Sequence, residues 1–135
     1  MRAVLPILAL ALTTAAPALA DEVWSTPFGD AIYEADIGDT TIITVPQTDG
    51  VMRVYLPGLA GNYDSRGTHT GYWIGNGEGY CPAGLTGIDG TGSRQWGEVI
   101  LAFDYAAYPT GWTLVVGDCF APPYWTIRGE ARTGG

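Results

Sequence analysis

The stretch AIYEADIGDTTIITVPQTDGVMRVYL, residues 31–56, decides the fold class. It holds three short runs rich in β-branched and aromatic residues, and each run stops at Gly, Asp or Pro, which favour turns. In the first run Tyr33, Ala35 and Ile37 alternate with acidic residues, which is the two-residue period of a half-buried strand. Because such short turns join neighbouring antiparallel strands, the stretch predicts a meander of hairpins.

The same pattern continues to the C-terminal end of the chain. The predicted strands are 31–37, 40–45, 51–56, 68–74, 98–104, 112–116 and 124–130, with an eighth if Val23 and Trp24 pair. No run after residue 20 has a helical period, so we expect an all-β domain, a small antiparallel β-sandwich or β-barrel of about seven or eight short strands. The alternation at Val99, Leu101 and Phe103, and the position of Trp112, predict that these side chains pack inside the domain.

The first twenty residues have the layout of a secretory signal peptide. A positive start at Arg2 precedes an apolar run that ends at Leu12, and the small residues Ala18-Leu19-Ala20 close the segment. Thr13, Thr14 and Pro17 interrupt the run before it reaches the length of a membrane span. The pattern predicts a signal peptide over 1–20, a single β domain over 21–135, and a periplasmic or secreted protein.

Cys81 and Cys119 are the only cysteines, and a pair in an exported chain is expected to form a disulfide. They lie 38 positions apart, for which chain-entropy arithmetic gives about 4 kcal/mol of stabilisation. A redox or zinc site is disfavoured because the chain has no C-x-x-C motif and a single histidine.

The charge of the chain restricts its partners. Fourteen acidic residues face six arginines and no lysine, so the formal charge is −8. Nucleic-acid binding is disfavoured, because it requires clustered Arg or Lys. An acidic field instead speeds encounter with a cationic partner.

No catalytic residue is predicted. His69 is the only histidine, and none of the mature serines lies in a G-x-S-x-G motif. A hydrolase centred on His69 therefore ranks third among the functions that we consider.

No cofactor or metal site is predicted either. A chain without lysine cannot hold a G-x-x-x-x-G-K-[ST] phosphate loop. The segment Gly75–Gly97 carries eight glycines and reads as a long ordered loop. It offers oxygen ligands at Asn76, Glu78 and Asp89 without the EF-hand pattern, which leaves open whether it binds an ion.

Aromatic residues are the most prominent candidates for binding. Five tryptophans and eight tyrosines are present, and the predicted binding residues are His69, Tyr72, Trp73, Tyr80 and Trp96. Trp73 shares a strand face with His69 and Tyr72 lies on the other, so one of Tyr72 and Trp73 is expected to face outward.

The leading hypothesis is an exported, non-enzymatic binding module of the cell envelope. It would engage a cationic envelope protein through an aromatic, acidic loop surface, and in size, export and a single bridge it is similar in type to small exported inhibitors of lysozyme. The alternative is a β-barrel that binds a glycan or small ligand on its rings.

Overall fold

Eight antiparallel strands close into one barrel in the computed structural model, which describes residues 22–62 and 65–132. The predicted signal peptide lies outside the described residues. Ten strands and no helix occur in the described part: β1 Val23–Thr26, β2 Gly29–Ile37, β3 Thr40–Gln47, β4 Gly50–Pro57, β5 Thr68–Gly75, β6 Leu85–Thr86, β7 Gly92–Ser93, β8 Trp96–Phe103, β9 Trp112–Val116 and β10 Trp125–Ala131. The all-β prediction is confirmed, and of its two architectures the chain adopts the barrel.

The barrel is an up-and-down meander. Around it the strands run β1-β2-β3-β4-β5-β8-β9-β10, so each barrel strand pairs with the next one along the chain, apart from the inserted β6–β7 hairpin. The ring closes where Trp24 of β1 lies opposite Ala131 of β10. Closure gives each of the eight described barrel strands a partner on both sides, so the meander forms a barrel instead of an open sheet with two exposed edges.

The observed strands extend beyond several predicted limits. The sequence predicts a loop over residues 75–97, but β8 starts at Trp96 because Trp96 pairs with Ile74 of β5. The connection from 76 to 95 also contains the β6–β7 hairpin, with Leu85 opposite Ser93. Strands of only two residues are too short to show the alternation that identified the others.

Inward-facing side chains fill the barrel. The buried cluster comprises Trp24, Ala31, Tyr33, Ile43, Val45, Met52, Val54, Leu56, Leu59, Trp73, Val99, Leu101, Trp112, Leu114, Val116 and Ile127. Trp24 and Trp112 meet edge to face at 5.7 Å, and the Trp24 indole donates to the Thr110 carbonyl oxygen at 2.8 Å. The predicted packing of Val99, Leu101 and Trp112 is confirmed, and Phe103 packs against the same cluster.

A second buried cluster lies on the outside of the barrel wall. It comprises Ile42, Tyr55, Ile74, Cys81 and Trp96. The connection 76–95 covers these side chains and is tied down by the Cys81–Cys119 disulfide, with Cα atoms 5.4 Å apart, which confirms the predicted bridge. A Cβ atom at Gly87 would lie 2.7 Å from the Tyr55 ring, so the glycine lets the loop backbone approach the wall.

The connections alternate between the two ends of the barrel. We call the end that carries the β1–β2, β3–β4, β5–β8 and β9–β10 connections the disulfide end, because both cysteines lie there. The opposite end carries the β2–β3, β4–β5 and β8–β9 connections.

A buried ion pair lies at the opposite end. The Arg66 guanidinium donates to both carboxylate oxygens of Glu22, at 2.9 and 3.1 Å, and the two side chains are 1% and 6% exposed. Arg66 also lies over the Phe103 ring, 5.2 Å from its centroid. These two buried charges are tolerated because each neutralises the other and both carboxylate oxygens accept a hydrogen bond from the guanidinium.

Candidate functional site

The mouth of the barrel at the disulfide end contains a cleft of about 210 Å³. We call it the mouth cleft. Its lining residues are Gln47, Thr48, Asp49, Gly50, Val51, Met52, Trp73, Asn76, Tyr80, Gln95, Asp118 and Trp125. The set combines two carboxylates, three side-chain amides and three aromatic rings, so the mouth cleft can contact both polar and flat apolar groups of a ligand.

Two tyrosines hold the carboxylate of Asp118. The Tyr80 hydroxyl donates to one oxygen at 3.1 Å and the Tyr124 hydroxyl to the other at 2.7 Å. Tyr80 precedes Cys81 and Asp118 precedes Cys119, so the disulfide brings this pair together from two distant parts of the chain. Both tyrosine rings are mostly exposed, and the Asp118 carboxylate is therefore oriented without being buried.

The hydroxyl groups of this cluster stay protonated at physiological pH. Partial burial and the hydrogen bond to Asp118 raise the pKa of Tyr80, and the hydrogen bond to Asp118 raises the pKa of Tyr124. Burial disfavours the charged phenolate of Tyr80, and a phenolate beside the Asp118 carboxylate would be repelled, which raises the pKa of Tyr80 further and that of Tyr124 chiefly. Both hydroxyls therefore act as donors to Asp118.

Side-chain amides fix the rim of the mouth cleft. The Asn76 carbonyl oxygen accepts from the Val51 backbone N–H at 2.9 Å, which ties the β3–β4 turn to the loop that follows β5. The Gln95 carbonyl oxygen accepts from the Gly77 N–H at 2.7 Å and joins the two ends of that loop. Trp73 donates from its indole to the Gly117 carbonyl oxygen at 2.8 Å. These bonds set the shape of the mouth cleft before any ligand arrives.

None of the described arginines lines the mouth cleft. Four of the five described arginines pair with carboxylates elsewhere: Arg53 with Asp89, Arg66 with Glu22, Arg128 with Asp104 and Glu130, and Arg132 with Asp30. Arg94 donates to the Cys81 carbonyl oxygen. Asp49 and Asp118 are thus acidic lining residues with no salt-bridge partner among the described residues.

The structure brings two of the five predicted binding residues together. Tyr80 lines the mouth cleft and is mostly exposed, whereas Trp73 contributes to its inner wall and is largely buried in the core. Trp96 is buried under the loop and donates to the Ala83 carbonyl oxygen at 2.8 Å. Tyr72 stacks on Tyr55 on the outside of the barrel, which confirms that one of Tyr72 and Trp73 faces outward.

His69 lies away from the mouth cleft, near the start of β5 at the opposite end. Its ring Nε2 contacts the carbonyl oxygen of Arg66. No group of three His, Cys, Asp or Glu side chains able to hold a metal ion occurs among residues 22–62 and 65–132.

Several lining residues were missed by sequence reasoning, above all Asp118, Asp49 and the three amides. One signal was available for Asp118, because the predicted disulfide places the residues beside each cysteine close together. No sequence pattern distinguished Asn76 or Gln95, because a polar loop residue that lines a cleft has the same sequence context as one that does not. Their positions follow from the closure of the barrel.

Comparison with known proteins identifies no relative of this chain. No protein-family model, curated protein or solved structure matches this chain. Nor does any helix in the described part of the chain have the length and apolar character needed to cross a membrane.

The loop that borders the mouth cleft is anchored at Asp89. Its carboxylate accepts from Arg53 at 2.7 Å, from the Tyr55 hydroxyl at 2.8 Å and from the Thr91 backbone N–H at 3.1 Å. Although partial burial opposes ionisation, hydrogen bonds from Thr91, Tyr55 and Arg53 lower the pKa of Asp89 to about 2. Both oxygens are thus engaged by the protein, which leaves this residue poorly placed as an ion ligand.

Replacing Asp89 with asparagine is expected to lower the free energy of unfolding at neutral pH by about 1–2 kcal/mol. The folded-state pKa of Asp89 lies below the usual value of 3.8. The stabilisation from its ionised carboxylate is therefore present above about pH 4 and is lost as pH falls towards 2. Urea unfolding between pH 2 and 7 measures it, with the exposed Asp39→Asn as control. An Asp89→Asn protein with the acid sensitivity of the parent would contradict the assignment.

Proposed function

We propose that the protein is an exported, non-enzymatic binding module that engages a basic protein partner through its disulfide end. The observation that supports this most strongly is the cluster of exposed rings around Asp118. Tyr80 and Tyr124 are fixed by hydrogen bonds to that carboxylate, and the exposed Phe120 packs edge to face on Trp96 at 4.9 Å. Exposed aromatic side chains that are already held in place lose little conformational entropy on binding, which suits them as anchors.

The negative charge at the disulfide end supports a basic partner. The disulfide end carries Asp49, Glu78 and Asp118, which have no salt-bridge partner within the described part of a chain whose net charge is −8. Such a field attracts a cationic surface and raises the rate of encounter, and the attraction weakens as salt screens it.

An oxidising compartment fits the disulfide, and we propose that the protein acts in the periplasm or after secretion. The Cys81–Cys119 bridge is compatible with such a location. The cell-envelope assignment also rests on the signal-peptide pattern of the first twenty residues.

A non-enzymatic role is supported by the surroundings of the single histidine. The ring of His69 contacts a backbone carbonyl oxygen at the opposite end, and the described residues that line the mouth cleft include no histidine, cysteine or serine. Acid–base catalysis by histidine and nucleophilic catalysis by cysteine or serine need such groups converging on one pocket.

The proposal is tested by titrating the protein against purified basic envelope proteins, with lysozyme among them, at low and at physiological ionic strength. We expect binding to at least one of them, and we expect the affinity to fall as salt rises. The absence of salt-sensitive binding across the whole panel contradicts the proposal.

A matched pair of tyrosines locates the surface. Tyr124, 68% exposed at the disulfide end, and Tyr105, 71% exposed at the opposite end, differ mainly in position. We expect Tyr124→Ser to weaken binding by about tenfold or more and Tyr105→Ser by less than about twofold. Calorimetric titration of both variants with the partner found in the panel provides the measurement, and equal effects would place the surface elsewhere.

The glycan-binding alternative retains one specific observation in its favour. The mouth cleft places the amides of Gln47, Asn76 and Gln95 beside aromatic rings, and this combination also suits sugar hydroxyls and the flat faces of sugar rings. Tryptophan fluorescence titrated with a panel of cell-wall sugars tests it, because Trp73 and Trp125 line the mouth cleft.

A further inference from the structure

We propose that the mouth cleft receives a single cationic side chain of the partner, an arginine guanidinium, between Asp49 and Asp118. This inference rests on the proposed function and assigns the chemistry of its central contact.

Asp118 is prepared to accept a guanidinium. Each of its oxygens takes one tyrosine hydroxyl, and a carboxylate offers about four lone-pair sites, so each oxygen can accept a further donor. The two tyrosines fix the plane of the carboxylate before binding. A planar guanidinium with paired N–H groups matches a fixed carboxylate better than the single ammonium of lysine does.

The charge of the mouth cleft also favours a cation. Asp49 in the β3–β4 turn and Asp118 in the β9–β10 connection both line it, and its described lining includes no arginine. A cation placed between two carboxylates is attracted by both. A neutral sugar gains no such attraction.

Aromatic rings complete the environment of a guanidinium. Tyr80, Trp73 and Trp125 line the mouth cleft together with the carboxylates. Arginine stacks on aromatic faces, and its aliphatic stem covers apolar surface while its charged head reaches a polar partner.

The rim amides suit the backbone of the inserted residue. Asn76 and Gln95 use their carbonyl oxygens on the protein backbone, which directs their remaining capacity to N–H donation. Such donors match a peptide carbonyl of the partner.

The volume favours one side chain. The mouth cleft measures about 210 Å³, which is below the roughly 300–1,000 Å³ of sites that enclose a drug-sized ligand. A single long side chain therefore fits it better than an oligosaccharide does.

The test uses N-acetyl-L-arginine N-methylamide and its citrulline analogue, which has nearly the same shape and no charge. Each is titrated into the ¹⁵N-labelled full-length mature protein while the indole N–H resonances of Trp73 and Trp125 are followed. We expect the arginine probe to shift both resonances with a Kd in the millimolar range, about −4 kcal/mol, and the citrulline probe to bind at least about fivefold more weakly.

Two variants connect the response to the carboxylates. Asp118→Asn and Asp49→Asn are each expected to weaken binding of the arginine probe by at least about fivefold. Asp118→Asn keeps a carbonyl oxygen for the tyrosines, and Asp39→Asn at the opposite end serves as the matched control that leaves binding unchanged. Equal binding of both probes, or unchanged binding by the two cleft variants, overturns the inference.

The outcomes separate this inference from the function on which it rests. If a basic protein binds in the Tyr124-dependent manner but the arginine probe shifts neither indole, the cleft assignment is overturned and the proposed function stands. If the arginine probe binds as expected but no basic protein does, the proposed function fails and the cation site stands. Binding of N-acetylglucosamine without binding of the arginine probe overturns the inference in favour of the glycan alternative.

Discussion

Replacing Arg66 with methionine is expected to lower the free energy of unfolding by about 3–5 kcal/mol. The substitution leaves the carboxylate of Glu22, only 6% exposed, without the guanidinium that donates to both of its oxygens. Desolvation of an unpaired carboxylate is costly, whereas the aliphatic methionine retains much of the contact with the Phe103 ring. Urea unfolding at neutral pH measures the loss.

A surface pair of the same chemistry provides the control. Arg132 pairs with Asp30, and these side chains are 48% and 53% exposed. Arg132→Met is expected to cost less than about 0.5 kcal/mol, because exposed ion pairs are solvated whether or not they form. The double variant Glu22→Leu/Arg66→Met removes both buried charges and should recover most of the loss. If Arg66→Met costs no more than Arg132→Met, the ion pair does not have the energetic role inferred from its burial.

Removing the disulfide is the second change with a large expected effect. The double variant Cys81→Ala/Cys119→Ala should lose about 4 kcal/mol of unfolding free energy, since the bridge joins residues 38 apart and restricts the unfolded chain. The barrel should still fold, because its strand pairing and its interior cluster do not include the cysteines. Far-UV circular dichroism and urea unfolding measure the two properties separately.

The same variant should also affect the candidate site. Tyr80 and Asp118 each precede a bridged cysteine, so the freed loop no longer holds the Tyr80 hydroxyl within reach of Asp118. We expect weaker binding at the disulfide end together with greater quenching of Trp96 by added iodide, because the loop covers this indole. A loss of less than about 1 kcal/mol with unchanged Trp96 quenching would show that the loop is held by other contacts, such as those of Asp89.

Strand positions were predictable because alternation is a local property. Val99, Leu101 and Trp112 were assigned to the core from a two-residue period, and each lies in the barrel interior. The predicted ends of the strands were less accurate. β8 starts earlier than predicted, at Trp96, because a strand continues for as long as its neighbour offers hydrogen bonds. The pairing of Cys81 with Cys119 needed no geometry, because only one pairing exists.

The candidate site was only partly predictable, as four aromatic residues predicted to bind show. Tyr72, Trp73, Tyr80 and Trp96 were indistinguishable as candidates, yet only Trp73 and Tyr80 line the mouth cleft. Trp96 is covered by a loop that folds over the outer wall, and no local pattern indicates which wall a glycine-rich loop will cover. The predicted disulfide indicated that Asp118 lies near Tyr80, but only the structure showed the hydrogen bond between them.

By itself the sequence determined that this chain forms short antiparallel strands joined by tight turns, with one disulfide and a strongly acidic charge. These properties depend on residue identity and short-range periodicity, which can be read without knowing what lies opposite. Tertiary structure alone decided that the meander closes through β1 and β10, that Arg66 is buried against Glu22, and that Asp49 and Asp118 face one cleft. Each of these facts joins residues far apart in the chain, and only the closed barrel brings them into contact.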